Sequence, residues 1–233
     1  MRLSLHKPIR SAAKLPESIG NKLVYPNVLT NLGSYEFTTN GSYTRWFTDI
    51  SVYAAHYPTN ETVTLEIYSP HTKEPVPIIL LLPISGGKKY ELERFLAPYF
   101  AKRGMAAAIV HREKRPKVPT AEEMNHLMHQ AILRNKQVID WVETQKEFDS
   151  KRIGVLGTSM GGINGAMLVG VDSRINSAVL ALAGCDIPYI LAKSKDRGVQ
   201  RYQKTYMGEH GVSSDEMYEQ LKMLLEWDPK NLA

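Results

Sequence analysis

The sequence contains a single cysteine, Cys185, among 233 residues. No internal disulfide can form, and no cysteine-based metal centre is implied. No stretch approaches the roughly 18–20 consecutive apolar residues of a membrane-crossing helix. Charge of one sign is not concentrated either. Lys and Arg number 29 against 24 Asp and Glu, a net charge of +5 spread along the chain. The densest basic run, His111 to Lys117 (HREKRPK), carries a glutamate and a proline and lacks interleaved aromatics. It reads as a solvated loop, not as a nucleic-acid surface. The first residues, MRLSLHKPIRSAAKLPE, are basic but lack the apolar centre of an export signal. A cytoplasmic protein is expected, or one whose N-terminus lies upstream of Met1. His126 and His129 stand three apart on a helical pattern with no accompanying acidic motif, and His6, His56 and His71 show no ligand spacing. Neither a metal nor a cofactor is called for.

What is present suits one globular α/β domain with a sizeable core: 43% of residues are hydrophobic and 23% charged. Residues 1–42 are rich in turn formers and read as an irregular arm packed on that domain. Arg45 to His56 is aromatic and β-branched, and Thr62 to Tyr68 (TVTLEIY) alternates as a half-buried strand does. Ser69 to Pro77 holds three prolines and turns the chain. Ile78 to Leu82 (IILLL) is continuously apolar, as in a parallel strand covered on both faces. Tyr90 to Arg103 places Leu92, Phe95, Leu96, Tyr99 and Phe100 at helical spacing, with Gly104 suited to end the helix. Met105 to Val110 is the next buried strand. In Ala121 to Glu147 a buried face is expected from Met124, Leu127, Met128, Ile132, Val138, Ile139, Trp141 and Val142. Ile175 to Leu182 is a further strand. Strands alternating with helices predict a doubly wound, mostly parallel sheet with right-handed crossovers. Ile187 to Trp227 breaks the alternation with a helical, aromatic and charged segment.

The most specific stretch is Ile153 to Gly165, IGVLGTSMGGING. A short apolar run leads into Gly157-Thr158-Ser159-Met160-Gly161, and a small-residue helical segment follows. Gly157 and Gly161 flank Ser159 at the spacing of a nucleophile elbow, where a serine sits on a strained strand-to-helix turn. With this motif after a β-type run and before a helix, the chain resembles the α/β-hydrolases of the esterase, lipase and serine-aminopeptidase kind, over about Thr62 to Ala183. The resemblance implies Ser159 as nucleophile. It implies that Pro83-Ile84-Ser85-Gly86-Gly87, directly after the IILLL strand, is the loop that supplies one oxyanion-hole N–H. Alignment puts that donor on Ser85, with Ile84 or Gly86 as one-residue slips, and the other on Met160. It also implies that 187–227 forms a helical cap after the strand that ends near Leu182.

A serine hydroxyl needs a base, and usually an acid behind the base. In the family the order is serine, acid, histidine. After Ser159 only one strand pattern is present, where the family has two more that carry the acid and the histidine. The expectation is therefore a chain ending before those strands, its sheet short of the last of them. A second reading builds the triad from Asp186 and His210, or from His111 out of family order. A third is a degenerate, non-catalytic binding protein with an incomplete triad. The function expected is a serine hydrolase of carboxylesterase type, acting on a small-molecule acyl substrate through an acyl-enzyme on Ser159.

Overall fold

A computed structural model describes residues 17–84, 90–112 and 120–232. Seven strands form one sheet in the order β1-β2-β3-β5-β4-β6-β7. The strands β1 (Thr30–Thr39), β2 (Tyr43–Val52) and β3 (Glu61–Pro70) run as an antiparallel ribbon, and β3 joins β5 (Ala106–Val110) antiparallel. From there β5, β4 (Val76–Leu82), β6 (Phe148–Thr158) and β7 (Ile175–Ala181) are parallel. The sheet is mixed α/β and mostly parallel in its second half, as the alternating pattern predicts. Among the described residues no strand pairs with the outer edge of β7, whose Val179 is 58% exposed.

The helix α3 (Ala121–Thr144) covers one face. All eight residues expected on its inner side are buried, with Trp141 packing near Phe148 and Trp46. A Thr120–Glu123 capping box starts it. On the same side α4 (Met160–Val171) lies between α3 and the sheet's β6–β7 end. The helix α2 (Glu91–Ala101) covers the other face near β5. It buries Ala97 and Ala101 against Ala107 and Ile109 of β5, with Leu81 and Tyr68 beside them, and leaves Phe95 78% exposed, with Leu92 and Tyr99 also outside. The small Ala97 and Ala101 face the sheet, whose own side chains here are mostly large, and the larger apolar stripe of the helix faces outward.

Two expectations change. Residues 1–42 are not all irregular: Glu17–Lys22 is the helix α1 and Thr30–Thr39 is β1. The strand was hidden because its pairing shifts between Asn31 and Gly33 and again between Tyr35 and Thr38. It is an edge strand whose Leu32, Tyr35 and Phe37 remain exposed, so no buried period-two pattern was there to read. The alternation of Thr62 to Tyr68 also places Glu66 and Tyr68 on the polar side, yet both are buried. The start of α2 covers them.

Residues 187–227 hold the helices α5 (Ile187–Lys193), α6 (Arg197–His210) and α7 (Ser214–Leu224). Met217 and Leu221 of α7 are fully buried in a cluster with Met128 and Ile132 of α3 and Met167 of α4. The segment leaves and rejoins the domain at one place. The buried Asp228 carboxylate accepts the backbone N–H groups of Asp186, at 3.0 Å, and of Ile187, and also that of Lys230. Asp186 in turn pairs with Lys230 at 2.9 Å.

A second tie joins the N-terminal segment to the C-terminal one across α3. Lys22 pairs with Glu226 at 2.6 Å, and the Lys22 carbonyl accepts from His129 Nε2 at 2.8 Å. A carbonyl can only accept, so Nε2 carries the proton and Nδ1 of the neutral ring is the acceptor. His56 Nε2 fills that role as donor at 2.8 Å. The His56 ring stacks on His126 at 4.1 Å, and His129 stacks on Trp227 at 4.3 Å. The three histidines that showed no ligand pattern in sequence thus meet in space: His56 and His129 share a hydrogen bond, and His126 stacks on His56. Among the described residues they form no metal-binding group. Burial, then the neighbouring His126 and His129, push His56 down from 6.5 to about 4. Burial also lowers His129, against the opposing pull of the Lys22 carbonyl and Glu226.

Both ties are testable. Asp228→Ala leaves the start of α5 with buried, unpaired N–H groups and should cost about 2–3 kcal/mol in urea unfolding. For His56, the unfolded chain binds more protons than the folded one between the ordinary 6.5 and about 4. Its contribution is therefore complete above 6.5 and is lost as pH falls through that window. Denaturation midpoints measured from pH 7 to 4.5 should fall, and fall less steeply in His56→Gln.

Candidate active site

The end of β6, a sharp turn and the start of α4 present Ser159. Its backbone sits at φ 53, ψ −118, a region that a non-glycine residue occupies only under strain. Its N–H donates to the carbonyl of Ala181 at 2.9 Å, which ties the turn to the end of β7. Its carbonyl accepts from Ile163 N at 3.0 Å and opens α4. The Ser159 residue is exposed and Met160 beside it is half-buried. Met160 is the first residue of α4, so its N–H has no carbonyl within the helix to bind. The positive end of the helix dipole lies at the same place.

The flanking glycines are required by contact. A Cβ on Gly157 would stand 2.1 Å from the Gly161 carbonyl oxygen, and one on Gly161 would stand 2.0 Å from that of Leu82. The turn is therefore packed backbone against backbone, between the start of α4 and the last residue of β4. Pro83 lies against Gly161 as well, its carbonyl oxygen 2.8 Å from the position of that Cβ. Ser85, Gly86 and Gly87 lie outside the described residues.

Among the described residues, none of the other candidates hydrogen-bonds Ser159. Asp186 caps α5, accepts from Tyr189 N and is held below the usual carboxylate range chiefly by the hydrogen bond from Lys230. His210 is exposed at the end of α6 and rests on Tyr206 at 4.3 Å. His111, just past β5, bonds Glu66 Oε2 at 3.2 Å. Glu66 is on β3, on the side of β5 away from β4 and β6, so the Nε2 of this histidine is engaged on the far side of β5 from Ser159's strand. Among the described residues, none hydrogen-bonds the Ser159 hydroxyl.

Glu66 is the residue that sequence reading missed. Its side chain has no exposure, and it gathers Arg45 at 2.8 Å, Arg94 at 2.8 Å, His111, and the Tyr68 hydroxyl at 3.0 Å. Burial alone would raise its pKa. The hydrogen bonds from His111, Arg94 and Tyr68 and the charge of Arg45 reverse that and hold it down at about 2. The cluster joins β3 to the first turn of α2 and to the segment after β5, both at the carboxyl end of the parallel strands. A single glutamate amid alternating β residues was the available signal, but its partners come from three other elements.

The Gly161→Ala variant tests the close approach. Overpacking at 2.0 Å from the Leu82 carbonyl oxygen should destabilise the protein by about 1–3 kcal/mol in urea titration.

Similarity to known proteins fits this geometry. The X-Pro dipeptidyl-peptidase (S15) family matches residues 61–224. Among solved structures, the acetyl xylan esterase from Paenibacillus sp. R4 superposes with a TM-score of 0.64 at 18% identity, over 93% of this chain and 72% of that one. Acetyl xylan esterase 1 from Thermoanaerobacterium sp. JW/SL YS485 gives 0.58 at 17% identity, over 94% and 75%. A glucuronoyl esterase from Teredinibacter turnerae gives 0.53 at 11% identity, over 93% and 63%. No curated protein sequence matches significantly. At these identities the structural likeness establishes the α/β-hydrolase fold. With the family match covering most of the chain, this protein belongs to the X-Pro dipeptidyl-peptidase (S15) family.

Proposed function

We propose that this chain is a serine hydrolase that cleaves the carboxylic ester, or a related acyl bond, of a small molecule through an acyl-enzyme on Ser159. The observation that carries the reading is the strained backbone of Ser159 at φ 53, held by glycines whose replacement the packing forbids. Strain at an exposed serine above a helix N-terminus has a physical purpose in acyl transfer. It presents the hydroxyl away from the chain and aims N–H groups at the charge that develops. In this reading Ser159 Oγ attacks the acyl carbon. The N–H groups of Met160 and Ser85 hold the oxyanion, the alcohol leaves, and water releases the acid. The helices α5–α7 share an apolar cluster with Met160 and would border the acyl group as a cap. Ester is preferred because the structural neighbours are named acetyl xylan and glucuronoyl esterases. The family description names a peptidase, and amide cleavage uses the same machinery.

One observation favours a second reading, a binding protein that does not turn its ligand over: no described base stands at the Ser159 hydroxyl. A fluorophosphonate probe separates the two in the full-length protein. Labelling of wild type that disappears in Ser159→Ala is the expected result, with hydrolysis of p-nitrophenyl acetate falling at least about 10³-fold in the same variant. An unlabelled, well-folded wild type would leave the binding protein. Faster cleavage of a prolyl p-nitroanilide than of the acetate would assign amide chemistry instead.

A further inference from the structure

The loop that follows β4 is held at its start by a residue with no assigned role. Glu93 is in the first turn of α2 and only 3% exposed. Its carboxylate accepts the backbone N–H of Ile84 at 3.3 Å. In a capping box a glutamate at this helix position turns back to the N–H of the capping residue. Here the capping residue, Tyr90, has a left-handed backbone and no side-chain cap, and the glutamate reaches instead across the loop. The N–H it holds belongs to the peptide whose carbonyl is that of Pro83. That carbonyl oxygen is the one packed against Gly161. One peptide unit is thus fixed on its donor side by Glu93 and on its acceptor side by the start of α4.

The anchor is itself anchored. Arg94, next in sequence, grips Glu66 with Nε at 3.0 Å from both carboxylate oxygens and with Nη2 at 2.8 Å from one. The first turn of α2 is therefore joined to the sheet through Arg94 and to the β4 loop through Glu93. The N-terminal partial charge of α2 favours a carboxylate at that position.

We infer that Glu93 is a positioning residue for the Ser159 site: by holding the Pro83–Ile84 peptide it sets the distance between the end of β4 and the nucleophile turn. This rests on the hydrolase reading above. It has one immediate consequence. An N–H committed to a carboxylate is not free for an oxyanion, so Ile84 is removed as the second donor.

The test uses Glu93→Gln, which keeps an acceptor oxygen at the same reach, and Glu93→Asp, which keeps the charge but is one methylene too short. Rates of fluorophosphonate labelling at Ser159 are resolved into probe affinity and the limiting rate. Glu93→Gln should stay close to wild type. Glu93→Asp should lose at least about tenfold in the limiting rate with affinity unchanged, because a displaced oxyanion donor weakens the transition state and not the encounter. Amide hydrogen exchange at Ile84 should accelerate in Glu93→Asp and not in Glu93→Gln, a readout that needs no turnover. Equal limiting rates and equal Ile84 exchange in all three proteins, with wild type labelled, would overturn the inference and leave the hydrolase reading standing. A wild type that is folded but unlabelled removes the hydrolase reading and this role together.

Discussion

The site depends on how closely three backbones approach. The end of β4, the end of β6 and the start of α4 meet at Gly157 and Gly161 with no room for a single added carbon. That contact forces Ser159 out of the allowed region for an L residue and keeps it there. Strain of this kind costs of order 1–3 kcal/mol and persists only where the surroundings over-determine it. The surroundings here are two central parallel strands, β4 and β6, paired from Ile78–Ile153 to Leu82–Gly157. Both carry fully buried aliphatic residues, such as Leu80, Leu81 and Ile153. The apolar strands therefore do more than stabilise the fold. They supply the rigid walls that make a strained serine possible.

Charge organises the neighbouring side of the sheet. A carboxylate with no solvent exposure is a liability unless it is fully paired. Glu66 is paired by Arg45, Arg94, Tyr68 and His111, and this makes it a junction between β2, β3, α2 and the segment after β5. His111 stands at the carboxyl end of a central strand, where a sequence reader looks for a base. In this structure its Nε2 is taken by Glu66, which strand order places beyond β5 from β6.

The parts of the fold legible in sequence share one property: their signal is local. The β6–turn–α4 unit and the buried face of α3 each declare themselves within a window of some twenty residues or fewer, by periodicity and by glycine placement. What stayed hidden needs partners distant in sequence. His56 meets His126 and His129 across some seventy residues, Asp228 meets Asp186 and Ile187 across more than forty, and Glu66 draws on three other elements. Edge strand β1 was hidden for the opposite reason, since it buries too little to impose a pattern. The α2 stripe of Leu92, Phe95 and Tyr99 has correct helical spacing but faces outward, because the small Ala97 and Ala101 are the helix residues that fit against Tyr68, Leu81 and Ile109. Periodicity identified the helix there; side-chain volume, which periodicity ignores, decided which face went in.

The same reasoning bears on the helical segment 187–227. A segment that only needed to reach the next element could be short. This one is over forty residues long and is closed at its base by a single buried carboxylate. It places Met217 and Leu221 against α3 and α4, the helices behind the Ser159 turn. Since Met160 belongs to the same apolar cluster, the packing of these helices and the position of the first turn of α4 are mechanically linked. A substitution in α7 that loosens the cluster acts on the same helix start that the Gly161 contact holds against β4. Ser159 is thus restrained from the sheet by β4 and from the helical side by α5–α7, and both restraints reach it through α4.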